Sequence, residues 1–207
     1  MRCLLFSLFS LLLVRCASEY HQLKPVEADN ECASRIVPHH TSSSWYSASI
    51  DVVGRHLSGL LFIKNLPDST WRIVFTNEVG VTFLDVGFLN NGKFKVYKVV
   101  SQLNKKPVLT TLRKDFELIL GLPFRDAAFE RFIAGDEVYF GVKQKNETAY
   151  FITQKDCASL QRMERGSARK RIVSVTVSAP GYPSPEQIEL KHYTFDLQIK
   201  LTRIKKE

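Results

Sequence analysis

From Trp45 to Val100 the chain is built of short runs in which apolar residues recur at every second position, separated by tight turns. That period is the spacing of side chains on one face of a β-strand, so this stretch is held to a half-buried antiparallel sheet. Trp45 to Val53 is a first run and His56 to Leu66 a second, with Leu60 and Phe62 on one face and Leu61 and Ile63 on the other. Trp71, Ile73 and Phe75 alternate with Arg72, Val74 and Thr76 after the turn Asn65-Leu66-Pro67-Asp68-Ser69. Val81 to Phe88 and Phe94 to Val100 are joined at Asn90-Asn91-Gly92, where Asn-Gly tolerates the positive φ of a hairpin turn. Five strands in sequence order read as a meander.

The period then changes. Leu109, Leu112, Phe116 and Ile119 are spaced three, four and three apart, which places them on one face of a helix running from about Pro107 to Leu120. A shorter helical turn is expected around Ala127 to Phe132. Strands resume at Val138 to Lys143 and Ala149 to Thr153, then with Val173, Val175 and Val177, with Ile188 and Leu190, and with Phe195, Leu197, Ile199 and Leu201. The expectation is a mainly β (α+β) fold: a curved antiparallel sheet, or incomplete β-barrel, of about 9–11 strands, with an amphipathic helix as lid. The chain has 207 residues, is 44% hydrophobic and carries 14 Phe, enough to bury the core of one domain.

The N-terminus reads differently. Arg2 precedes an apolar run from Leu4 to Val14, too short to span a bilayer as a helix and of the length of a signal peptide. It ends at Leu13-Val14-Arg15-Cys16, which resembles a bacterial lipobox, where the cysteine takes a diacylglycerol. Arg15 stands where a small residue is usual, so ordinary cleavage after Ser18 is the rival reading. Residues 1–15 are thus expected to be a signal peptide, 16–44 a polar tether anchored by lipid on Cys16, and 45–207 the folded domain. Cys32 and Cys157 stay in the mature chain under either cleavage; an exported compartment permits a disulfide between them, and two separate buried thiols are the alternative.

The order of elements resembles the LolA/LolB-like lipoprotein-localisation superfamily and related small exported lipoproteins of Gram-negative bacteria. The residues that carry the likeness are Ser58-Gly59-Leu60-Leu61-Phe62-Ile63-Lys64, its partner Trp71-Arg72-Ile73-Val74-Phe75, and the closing stretch from Tyr182-Pro183 through Ile188 to Leu201. The resemblance implies a half-barrel whose concave face shelters acyl chains of a lipid or lipoprotein, as carrier or acceptor. It makes Phe62, Trp71, Ile73, Phe75, Phe83, Leu109, Leu112, Phe116 and Ile119 the candidate cavity residues. It also implies an outer-membrane or periplasmic location and a monomer. The alternative is a structural or interaction lipoprotein with the same residues in a filled core.

The formal charge of +8 loses Arg2 and Arg15 with a signal peptide; what remains suits an anionic membrane surface or ordinary solubility. Nucleic acid is not an expected partner, because the positive charges are spread along the strands and the one dense basic cluster, Arg169-Lys170-Arg171, is short and adjoins no aromatic stacking platform. No nucleophile, phosphate-loop or HExxH motif occurs, and no Cys/His spacing suggests a metal, so the chain reads as a non-enzyme without cofactor. His56-Leu57-Ser58 is the nearest approach to a catalytic pair. His39-His40 read as solvated, and Asp85, Asp115 and Asp136 form no readable pair.

Overall fold

The computed structural model describes residues 19–36, 43–125, 127–178 and 185–205. The expected signal segment, Cys16 and His39-His40 lie outside these residues. Thirteen strands form one antiparallel sheet that curves without closing. They are β1 (Lys24–Val26), β2 (Ser44–Val52), β3 (Arg55–Asn65), β4 (Trp71–Thr76), β5 (Thr82–Phe88), β6 (Phe94–Val99), β7 (Glu130–Ala134), β8 (Glu137–Gln144), β9 (Glu147–Gln154), β10 (Arg162–Gly166), β11 (Arg171–Val177), β12 (Gln187–His192) and β13 (Leu197–Arg203). The spatial order is β1-β7-β8-β9-β10-β11-β12-β13-β2-β3-β4-β5-β6. The last strand, β13, is inserted between β12 and β2, so the C-terminal segment joins the two meanders into a single sheet.

Strand alternation sorts side chains onto two faces. Tyr46 pairs with Leu61 and Leu61 with Phe75, and Ile199 pairs with both Ile50 and Leu190; all are buried on the inner face. Two helices lie against that face, α1 (Asn30–Ile36) and α2 (Lys106–Ile119). Leu112, Phe116 and Ile119 of α2 are buried in the same core as the inner-face residues of the sheet, which satisfies the apolar stripe read from the spacing. Gly121 ends the helix in the left-handed conformation (φ 68°). Gly59 marks a close approach of backbones: a β-carbon there would collide with the Thr76 carbonyl of the adjacent strand.

Three strands exceed the expected set, and each has a physical reason for being hard to read. β1, at the edge of the sheet, and β7, beside it, are short strands without an apolar period. β7 also replaces the helical turn expected at Ala127 to Phe132; the helical turn that does occur is a 3₁₀ turn at Leu122–Phe124. β10 reads Arg-Met-Glu-Arg-Gly, yet three of its four side chains are buried. It is tolerable only because every charge has a partner. On the outer face Arg162 donates to both oxygens of Glu137 (2.9 and 3.0 Å) and to Glu164 (2.6 Å). These bonds hold the Glu137 carboxyl below its usual range, while burial and the Glu137 hydrogen bond push the Tyr139 phenol up to about 12.

Residues 19–36 are part of the fold and not a free tether. Tyr20 lies over Gly166, in the space its missing side chain leaves, and donates to Glu164 Oε2 (3.1 Å). The chain then adds β1 to the edge of β7 and turns onto the inner face as α1. A disulfide joins Cys32 of α1 to Cys157 of the loop after β9, with Cα atoms 5.4 Å apart.

Candidate functional site

The space between α2 and the sheet has two parts. Under the middle of the helix, Leu112 and Phe116 face Leu61, Phe75 and Leu84 across a wholly apolar gap of about 20 Å³, room for little more than a water. Toward the N-terminal end of α2 the space widens into a mouth of about 710 Å³. Leu57, Val81, Phe83, Val100, Leu103 and Val108 line it, and Arg55 and Lys105 are the cations among its walls. Val52, Leu57, Leu103 and Val108 line both parts, so mouth and gap adjoin across these side chains. The mouth falls within the size range of small-molecule sites.

The candidate cavity residues divide accordingly. Phe83 lines the mouth, and Phe75, Leu112 and Phe116 line the gap beneath α2. Ile73 and Ile119 are fully buried in the packed core, and Leu109 is half-buried against it. Trp71 borders a different pocket of about 390 Å³, together with Ser69, Asn90, Arg113 and Glu117. Phe62 is a correction. It pairs with Val74 on the outer face, where its ring stacks on Trp45 with centroids 4.3 Å apart; the inner-face residues of β3 are Leu61 and Ile63. A period of two cannot put both Phe62 and Ile63 inside. Leu57 was legible by the same rule, being four residues before Leu61. Leu103 and Val108 flank the start of the helix, outside any run of alternating residues.

One polar cluster lies inside. Asp115, on the buried face of α2, accepts from Arg165 Nη2 (3.2 Å) and from His192 Nε2 (2.9 Å). Arg165 Nε lies 3.1 Å from Glu147 Oε2, an ion pair without the angle of a hydrogen bond, and Lys114 reaches the same carboxylate at 2.8 and 2.9 Å. Asp115 is 0% exposed and Arg165 3%. The cluster therefore clamps the second half of α2 to β9, β10 and the end of β12, and leaves Lys106 to Leu112 held by apolar contact. Asp85 and Asp136 are paired as well, with Arg72 and Lys155. His56 bonds Asp51 (2.7 Å) on the exposed face rather than Ser58. The carboxylate of Asp29 lies near Cys32 and Cys157, but the two sulfurs are bonded to one another and offer no thiolate to a metal.

The fold is thus that of a curved half-barrel with a lid helix and an apolar mouth. No family model and no curated protein matches the chain. Among solved structures it is similar to a DUF1329 family protein from Desulfovibrio piger, with 13% identity, a TM-score of 0.48, and 87% of this chain and 92% of that one covered. It is also similar to a domain from Vibrio parahaemolyticus named for outer membrane lipoprotein sorting, with 8% identity, a TM-score of 0.46, and coverages of 85% and 88%. No helix among the described residues is long and apolar enough to cross a membrane.

Proposed function

We propose that this protein is an exported envelope lipoprotein, anchored through Cys16, whose half-barrel receives an acyl chain of a lipid or lipoprotein as carrier or acceptor. The observation that carries the reading is the largely apolar mouth of about 710 Å³ that adjoins the space under α2. A chain entering there meets mainly apolar side chains, with Arg55, Gln102 and Lys105 among the walls, and each methylene that leaves water contributes about 0.8 kcal/mol. The first two turns of α2 lie over its path and can lift, because the Asp115 cluster fixes only the second half of the helix. The lipobox-like Leu13-Val14-Arg15-Cys16 supports the anchor.

The gap of about 20 Å³ beneath Leu112 favours the second reading, an interaction lipoprotein with a filled core. Titrating the purified protein with a fluorescent fatty-acid analogue separates the two. The expected result is saturable binding that Val108→Trp, which fills the throat, weakens about tenfold or more. Equal binding by both forms, or none by either, removes the carrier reading and leaves the interaction reading.

A further inference from the structure

The first described residues are strapped to one end of the sheet. Glu19 is docked at the start of β11, where its Oε2 accepts from the Arg171 backbone N–H at 2.7 Å and lies 3.7 Å from the guanidinium Nε. With Tyr20 held over Gly166, Glu19 sits beside the β10–β11 hairpin. Cys16 is three residues further back, a reach of about 10 Å when extended.

The surface around Glu19 is cationic. Arg169 and Lys170 are exposed at the hairpin tip. On the neighbouring turn Tyr193, 48% exposed, is held by its backbone N–H to Ile172 O (2.9 Å). Its ring has both the Arg171 guanidinium, at 5.4 Å from the centroid, and Lys191 Nζ, at 5.8 Å, as neighbours. So the basic cluster does have an aromatic neighbour, supplied across the β11–β12 ladder and invisible in the linear sequence. Of the nearby acids, Glu164 is fully buried and, like Glu19, is engaged with Arg171, while Glu189 faces Lys200 across β12–β13. The same turn continues to the mouth: Asp196 accepts from Val53 N (2.9 Å) and Gly54 N (3.3 Å), and Val53 and Arg55 line the cavity.

We infer that Arg169, Lys170, Lys191 and Tyr193 lie against an anionic bilayer, so that the anchor and the cavity mouth face the same membrane. The consequence for the mouth rests on the acyl-chain reading; the surface itself rests on the strap and its cations. Lysine and arginine are attracted to anionic headgroups by about fivefold in affinity per residue. A tyrosine flanked by cations suits the headgroup level.

The test reconstitutes the full mature protein into phosphatidylcholine vesicles and into vesicles half phosphatidylglycerol, and follows amide hydrogen exchange over residues 167–171 and 191–196. Exchange in both segments should be slower by about fivefold or more on the anionic vesicles alone. The double variant Arg169→Gln/Lys170→Gln should lose that protection at the hairpin. Equal exchange on both vesicles overturns the inference. Flotation on the neutral vesicles reports separately on Cys16: protein that does not float there lacks the anchor, and the contrast in exchange still decides whether this surface binds anionic lipid.

Discussion

Replacing Cys32 and Cys157 together with alanine will lower the free energy of unfolding by about 4–5 kcal/mol. The bridge spans 125 residues, so it closes a long loop in the unfolded chain, and the entropy removed from that state grows with loop length. It also fixes α1, whose Cys32, Ala33 and Ile36 are its only buried side chains, too few to hold a seven-residue helix by burial alone. A domain of this size has about 5–15 kcal/mol in all, so the variant should unfold at a much lower guanidinium concentration, as reduction of the native protein should also show. A loss below about 1 kcal/mol would mean that α1 and the strap add little to the body.

Asp115→Ala has an effect of similar size and a different cause. Arg165 and His192 are buried against Asp115, and removing the carboxylate leaves a guanidinium in a low-dielectric interior with only Glu147 as counter-charge. Breaking such a pair from one side costs about 3–5 kcal/mol. The triple variant Asp115→Leu/Arg165→Met/His192→Leu should recover most of that loss, because it removes the buried charge along with its partners. Failure of the triple variant to regain stability over Asp115→Ala would show that the cluster contributes more than its own desolvation cost. An unfolding midpoint unchanged by Asp115→Ala would contradict the buried geometry.

How much of this was legible in the sequence depends on which physical signal each element leaves. The meander from Ser44 to Val99 and the helix from Lys106 to Ile119 are set by local periodicity, and their limits follow the residues read from spacing to within about two positions. β10 leaves no such signal, because its buried Glu164 and Arg165 are stabilised by charged partners, Arg162 and Arg171 nearby and Asp115 and Glu147 distant in the chain, and by no apolar period. Asp115 sits one residue from Phe116 on the apolar side of α2, and only its long-range partners reveal that it is buried. The segment 19–36 is polar and short of apolar period, so its docking depends on Tyr20 finding the gap over Gly166 and on Cys32 finding Cys157. Phe62 and Trp71 show the other limit. An aromatic residue in a strand marks a surface to be covered, but not whether the cover is the core, a neighbouring ring such as Trp45, or a separate pocket.

The proposed place of the acyl chain is tested most directly by photo-crosslinking. A fatty acid carrying a diazirine near its methyl end, irradiated with the purified protein and mapped by peptide mass spectrometry, should label the segments that contain Leu57, Phe83, Leu103 and Val108, with excess unlabelled fatty acid suppressing the adducts. Labelling confined to the outer face around Trp45 and Phe62, or adducts that excess fatty acid does not compete away, would contradict it.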